Sequence, residues 1–199
     1  MESNEDNGQL HFVDQDGSRY TEFNSSSYGS GMYIDSTFIK RSQDRKDPRL
    51  FIFCSQTKNA KEAGLTIDDF DAYEGGNPLA PYAEVNDKAA QGDVSKVNLR
   101  YTTEPTTEPH NLLSYSELQF ILAEASLRNW IGTDVKTHYE NGVKASFEFY
   151  NSFAKGYESY VTEAEAEIYL NQSLVSFDNA TTTESKLEHI ITQKYFTSF

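Results

Sequence analysis

Between Thr66 and Tyr82 the chain reads TIDDFDAYEGGNPLAPY, and these residue types support two kinds of chemistry. Asp68, Asp69, Asp71 and Glu74 supply carboxylates. Two carboxylates facing one cleft can cleave a glycosidic bond, provided that one is held protonated near neutral pH. Acids clustered in a loop are ordinarily a solvated face, so no catalytic residue is expected here. The second chemistry is recognition without reaction. An aromatic ring covers the C–H side of a sugar while amides and carboxylates bond its hydroxyls. On that ground we expect ligand binding at Phe70, Tyr73, Asn77 and Tyr82.

Other chemistries leave little trace. His11, His110, His138 and His189 lie far apart in the sequence without metal-ligand spacing, so neither a metal nor a cofactor is expected. There is no Gly-rich phosphate loop and no Gly-x-Ser-x-Gly elbow. Asp14-Gln15-Asp16-Gly17 opens like a calcium loop but lacks the downstream acid, and reads as a surface turn. Cys54 is the single cysteine, placed in the apolar run Leu50–Cys54 as a buried small residue. With 31 acidic against 17 basic residues the formal charge is −14, which repels nucleic acid and anionic lipid. No apolar run is long enough to cross a bilayer.

The clearest positioning element is Ser114–Trp130, SYSELQFILAEASLRNW. Ser114 and Glu117 have the spacing of a capping box, and Leu118, Ile121, Leu122 and Ala125 recur on one helical face. Gly132 is the expected left-handed stop. Trp130 is expected to pack against the next helix, which starts at Asp134 and carries Val135, Tyr139, Val143, Phe147 and Tyr150 on one side. A third helix begins at the Thr162–Glu165 capping pattern with Ala164, Ile168 and Tyr169, and a fourth near Thr181 with Glu184. The predicted hairpins are 114–130 with 134–153, and 162–173 with 181–199.

Upstream of these helices, residues 1–31 read as loop with one or two short strands, such as Leu10–Val13. Leu50–Phe53 and Val97, Leu99, Tyr101 read as strands, and residues 55–110 as a long connection. Asp47 precedes Pro48 and is placed to cap the following turn or to pair with Arg49, an anchoring role. The fold class is therefore mainly α: irregular tetratricopeptide-like helical hairpins over 111–199, plus a loop-rich region with short strands over 1–110 of the same domain. The acidic start lacks a signal-peptide pattern, and the last helix runs to Phe199 without a cap, so a piece of a longer protein is expected.

The segment Leu113-Ser114-Tyr115-Ser116-Glu117 through Phe120-Ile121-Leu122-Ala123-Glu124-Ala125 resembles the Tyr-x-Glu-x-x-Phe-Ile-x-Ala-Glu-Ala signature of the SusD/RagB-like family, nutrient-binding outer-membrane lipoproteins of Bacteroidetes. Asp47-Pro48-Arg49-Leu50, Tyr139-Glu140-Asn141-Gly142-Val143-Lys144-Ala145-Ser146 and Ile190-Ile191-Thr192-Gln193-Lys194-Tyr195 resemble further family segments, in the family's order. Tyr73-Glu74-Gly75-Gly76-Asn77-Pro78 is similar to its Tyr-x-Gly-x-Pro turn. The chain departs from the pattern in lacking the lipobox cysteine, the early helical pairs and a late arginine-rich segment. The resemblance implies non-catalytic capture of a glycan, or of another nutrient such as peptide, at the extracellular face of the outer membrane. Delivery would be to a SusC-like TonB-dependent transporter, with membrane attachment through a lipid anchor that this sequence does not contain. A helical scaffold that binds a partner protein without a small ligand is the alternative.

Overall fold

The computed structural model describes residues 1–25 and 32–198, and these form two compact units. Residues 26–31 of the expected N-terminal loop and Phe199 of the last helix lie outside the described residues.

One unit is Phe12–Thr107. Its first helix, α1 (Ser36–Arg45), starts where the Asp35 carboxylate accepts the Thr37 N–H at 2.6 Å, and ends at Lys46 in the left-handed conformation. The apolar run after it is α2 (Leu50–Phe53), a single helical turn and not the expected strand. The cause lies just upstream. Pro48 has the fixed φ of a first helical turn, and the Asp47 carboxylate takes the Arg49 backbone N–H at 3.1 Å. Phe51 N–H then donates to Pro48 O and Cys54 N–H to Leu50 O. All four residues of α2 are buried, so neither a period of two nor one of 3.6 was available to read.

Asp47 and Arg49 are each 1% exposed. Arg49 Nε donates to Asp47 Oδ1 at 2.9 Å and Nη2 to Oδ2 at 2.7 Å, a two-pronged pair sealed from water. Around it sit Phe38, Ile39, Phe51, Phe53 and Tyr73. Cys54 is also buried, and burial pushes its thiol pKa well above the ordinary value. The supposed long connection contains α3 (Lys58–Glu62), α4 (Tyr82–Gln91) and α5 (Arg100–Thr103). The strand expected at Val97–Tyr101 is reduced to a bridge between Cys54 and Val97, because Arg100 and Tyr101 turn into α5.

The second unit joins Met1–His11 to the chain from Glu108 onward. Strand β1 (Gly8–Leu10) pairs antiparallel with β2 (His110–Leu113). Its helices are α6 (Tyr115–Leu127), α7 (Val135–Phe153), α8 (Glu163–Leu170) and α9 (Thr183–Thr197). The expected N-caps at Ser114, Asp134 and Thr162 are present, while the last helix takes Thr182 with Ser185 as its capping box. The helix pairing differs from the expected hairpins: α6 packs on α7, α9 chiefly on α6, and α8 on α7. Tyr139, Val143, Phe147 and Tyr150 of α7 are buried as expected.

On α6 and α8 the buried face is not the one the apolar spacing indicated. Ser116, Gln119, Phe120, Ala123 and Ser126 of α6 are buried, while Ile121 is 43% exposed. On α8, Ala166, Tyr169 and Leu170 point inward and Ala164 and Ile168 outward. The reason on α6 is steric. Phe120 lies so close to α7 that a Cβ added at Gly142 would stand 2.7 Å from Phe120 Cζ, and Ser116 Oγ reaches Gly142 O at 2.7 Å. Backbones this close admit only small neighbours, which places the Ala and Ser residues inside and leaves the larger Ile outside. The α6–α7 turn uses Asn129 at φ 59 as its left-handed residue in place of Gly132, and Trp130 is 73% exposed, against the packing role expected for it. Among the described residues no helix is long and apolar enough to cross a membrane.

Gly142→Ala puts a methyl into the Phe120 ring, so it lowers stability by about 1–3 kcal/mol in urea unfolding despite the gain in helix propensity. Arg49→Met strands the Asp47 carboxylate and costs about 3–5 kcal/mol by the same measurement. Hydrogen bonds from the Thr137 hydroxyl and backbone N–H hold the Asp134 pKa below its ordinary value. The stability from this cap is complete above the usual carboxylate range and is lost as pH falls through the lowered value. Asp134→Ala therefore costs about 1 kcal/mol near neutral pH, and the difference from the parent shrinks once both are unfolded below about pH 4.

Candidate functional site

In the Phe12–Thr107 unit a groove of about 520 Å³ lies between α1 and the Glu74–Gly75 backbone. Two features bring these walls together. Gln43 Nε2 donates to the carbonyls of Phe70 and Tyr73, both at 2.9 Å, and so ties the loop to the helix. At the other end Ser36 N–H donates to Gly76 O at 2.9 Å and Gly76 N–H to Ile34 O at 2.8 Å. Gly75 fits between them because it has no side chain: a Cβ there would lie 2.3 Å from Ser36 Cα.

The lining is polar with both signs of charge. Ser36, Thr37, Lys40 and Arg41 come from α1 and face Glu74 across the groove. Lys40 is paired with Asp44 on its own helix, whereas Arg41 has no ion pair among the described residues. Hydroxyls, a guanidinium, an amide and a carboxylate around one groove can donate to and accept from a polyhydroxylated ligand.

Beside the groove the chain rises into an exposed tip. Asn77 Oδ1 accepts the Leu79 N–H at 2.9 Å, which closes a side-chain turn, and Ala80 N–H donates to Asn77 O at 3.1 Å. Leu79 is 92% and Tyr82 78% exposed. The tip is anchored by Val85 of α4, whose Cγ1 lies 2.9 Å from where a Gly76 Cβ would be. Tyr82 and Val85 are three residues apart, on neighbouring positions of one helix side, so the ring stands near the bridged backbone.

Of the four residues singled out from the sequence, the structure brings Asn77 and Tyr82 to this surface and places the other two beneath it. Tyr73 is 2% exposed, its ring stacked 5.8 Å from Phe51 and its hydroxyl donating to Ile67 O at 2.7 Å. It is a core residue and cannot face a ligand in this fold. Phe70 is half-buried, 4.8 Å from Phe51, with Lys46 Nζ 5.0 Å from its centroid. The residues missed were Ser36, Thr37, Lys40 and Arg41. The legible signal was Asp35 as an N-cap ahead of a short amphipathic run at Phe38, Ile39 and Ser42.

The carboxylates show no sign of proton-transfer work. Asp69 is spent capping the turn Phe70–Ala72, accepting Asp71 N–H at 2.9 Å. Asp68 is held below its ordinary pKa by the Thr66 hydroxyl and its own backbone N–H, the opposite of what a general acid requires. No group of three His, Cys, Asp or Glu that could hold a metal exists among the described residues.

With this geometry in hand, known proteins can be compared. None of the curated proteins matches the chain. Among solved structures, an outer membrane protein from Bacteroides vulgatus, described in connection with nutrient binding, is 49% identical with a TM-score of 0.97, over 100% of this chain and 44% of that one. A SusD homolog from Bacteroides fragilis is 48% identical with a TM-score of 0.94, over 100% of this chain and 43% of that one. A chitin-binding SusD homolog from Flavobacterium johnsoniae shares the fold at 22% identity and a TM-score of 0.62, over 100% of this chain and 40% of that one. The chain thus spans less than half the length of the solved relatives that it matches. A family model described as starch-binding, associating with the outer membrane, matches residues 1–199, and the chain belongs to this SusD-like family.

Proposed function

We propose that this chain forms part of a non-catalytic glycan-binding surface on the extracellular face of the outer membrane, which passes its ligand to a SusC-like TonB-dependent transporter. The observation that carries the reading is the polar groove of α1 and Glu74 beside an aromatic, Tyr82, left 78% exposed. Tyr82 serves as the stacking face for a pyranose ring. Asn77 orders the tip, and Arg41, Glu74 and Ser36 bond hydroxyls of the adjoining sugar. Phe70 and Tyr73 support the loop from beneath. The family's description as starch-binding, and the chitin-binding relative, name glucose- and N-acetylglucosamine-based polymers as the first ligands to try.

A second reading, a scaffold for a partner protein, draws on the outward-facing Ile121 of α6 and Ile191 and Tyr195 of α9, each between 43% and 53% exposed. Isothermal titration with chito- and malto-oligosaccharides separates the two. The glycan reading expects saturable heat with one series, about tenfold weaker in Tyr82→Ala and in Arg41→Ala, and unchanged in Tyr73→Phe. Binding that is indifferent to Tyr82 and Arg41 removes this site. Absence of heat with every glycan removes the reading and leaves the scaffold.

A further inference from the structure

The turn between α6 and α7 is built around the chain's single tryptophan. Trp130 is 73% exposed, yet it is not loosely held. Its backbone N–H donates to Ala125 O at 2.9 Å, and Asn129 before it sits at φ 59, a conformation that costs energy for any residue other than glycine. Behind the indole stands Arg128, its guanidinium carbon 5.5 Å from the ring centroid. Arg128 is itself clamped by Glu124, with Nε at 2.8 Å and Nη2 at 2.7 Å from Oε1.

The other side of the turn is braced as firmly. Ser126 Oγ and Thr133 Oγ1 are 2.6 Å apart, His138 Nε2 meets Thr133 Oγ1 at 3.0 Å, and His138 Nδ1 meets Gln119 Oε1 at 2.7 Å. Every partner is satisfied when Nδ1 carries the proton. A strained and braced turn that presents a large aromatic to solvent fits a prearranged contact better than an incidental exposure.

We infer that Trp130 is a second carbohydrate contact, a stacking platform for a pyranose ring distinct from the groove of α1; this rests on the glycan-binding reading above. One face of the indole is backed by Arg128 and the other is open. The indole N–H and the exposed Asn129 amide make no hydrogen bond to the described residues and stand at the rim, where ring hydroxyls need partners. Such a pattern favours a sugar over a protein surface, which would have to strip water from the Arg128–Glu124 pair as well.

The site reports on itself, because all tryptophan emission comes from Trp130. The chain is titrated with chitohexaose and with maltohexaose while emission and acrylamide quenching are followed, in parallel with calorimetry on the parent and on Tyr82→Ala. The expected result is a saturable emission change with reduced quenching that persists in Tyr82→Ala. Trp130→Leu should weaken calorimetric binding by roughly 3- to 10-fold, with Trp130→Phe retaining most of it. Calorimetric binding with emission unmoved at saturation, or Trp130→Leu binding like the parent, overturns the inference and leaves the glycan-binding reading standing. Emission that shifts with chain concentration alone marks a contact between copies and also overturns it. Silence in both measurements removes the inference and the glycan-binding reading together.

Discussion

A carboxylate and a guanidinium two residues apart, both 1% exposed, decide the form of the Phe12–Thr107 unit. A buried ion pair of this kind adds little net stability compared with a well-packed apolar pair, since each charge is stripped of water to form it. Its effect is to leave the chain one acceptable arrangement. With Asp47 bonded to both the backbone and the side chain of Arg49, the residues that follow must start a helical turn, and Phe51 is delivered against Tyr73 and Phe70. Those rings set the height of the loop whose carbonyls Gln43 gathers. The groove is therefore a consequence of the core two layers beneath it.

Parts of this were legible in the sequence for reasons that can be stated. N-caps at Ser114, Asp134 and Thr162 were readable because a short side-chain acceptor before a helix works locally, without help from the rest of the fold. The inward face of α7 was readable because its large residues are the ones buried. On α6 the same rule failed: the near contact of Phe120 with Gly142 selects small residues for the interior, and apolar spacing carries no information about how closely two backbones approach. The run Leu50–Phe53 failed differently, being buried on every side and so without a period of its own.

The candidate site was half visible. Tyr82 and Tyr73 are the same residue type in the same acidic, Pro- and Gly-rich surroundings, and only the fold separates them, one 78% and the other 2% exposed. What buries Tyr73 is Phe51, more than twenty positions earlier and hidden in a segment whose local structure was itself misread. The polar wall from α1 was invisible for a related reason. Ser36, Thr37 and Arg41 are ordinary surface residues of a short helix until Gly75 brings the opposite strand of backbone within reach. Sites of this kind are made by close approaches, which leave only a glycine as their trace.

Cys54 closes the account of the unit from another direction. Its sulfur lies in the same sealed layer as Phe53 and Ile52, and a thiol so desolvated yields almost no thiolate for attack on a disulfide or a metal. The chain is accordingly indifferent to an oxidising exterior as long as it stays folded. Once this layer opens the sulfur becomes reactive, so the pace at which an added maleimide or aromatic disulfide consumes it measures how often the interior breathes, with the molecule acting as its own timekeeper.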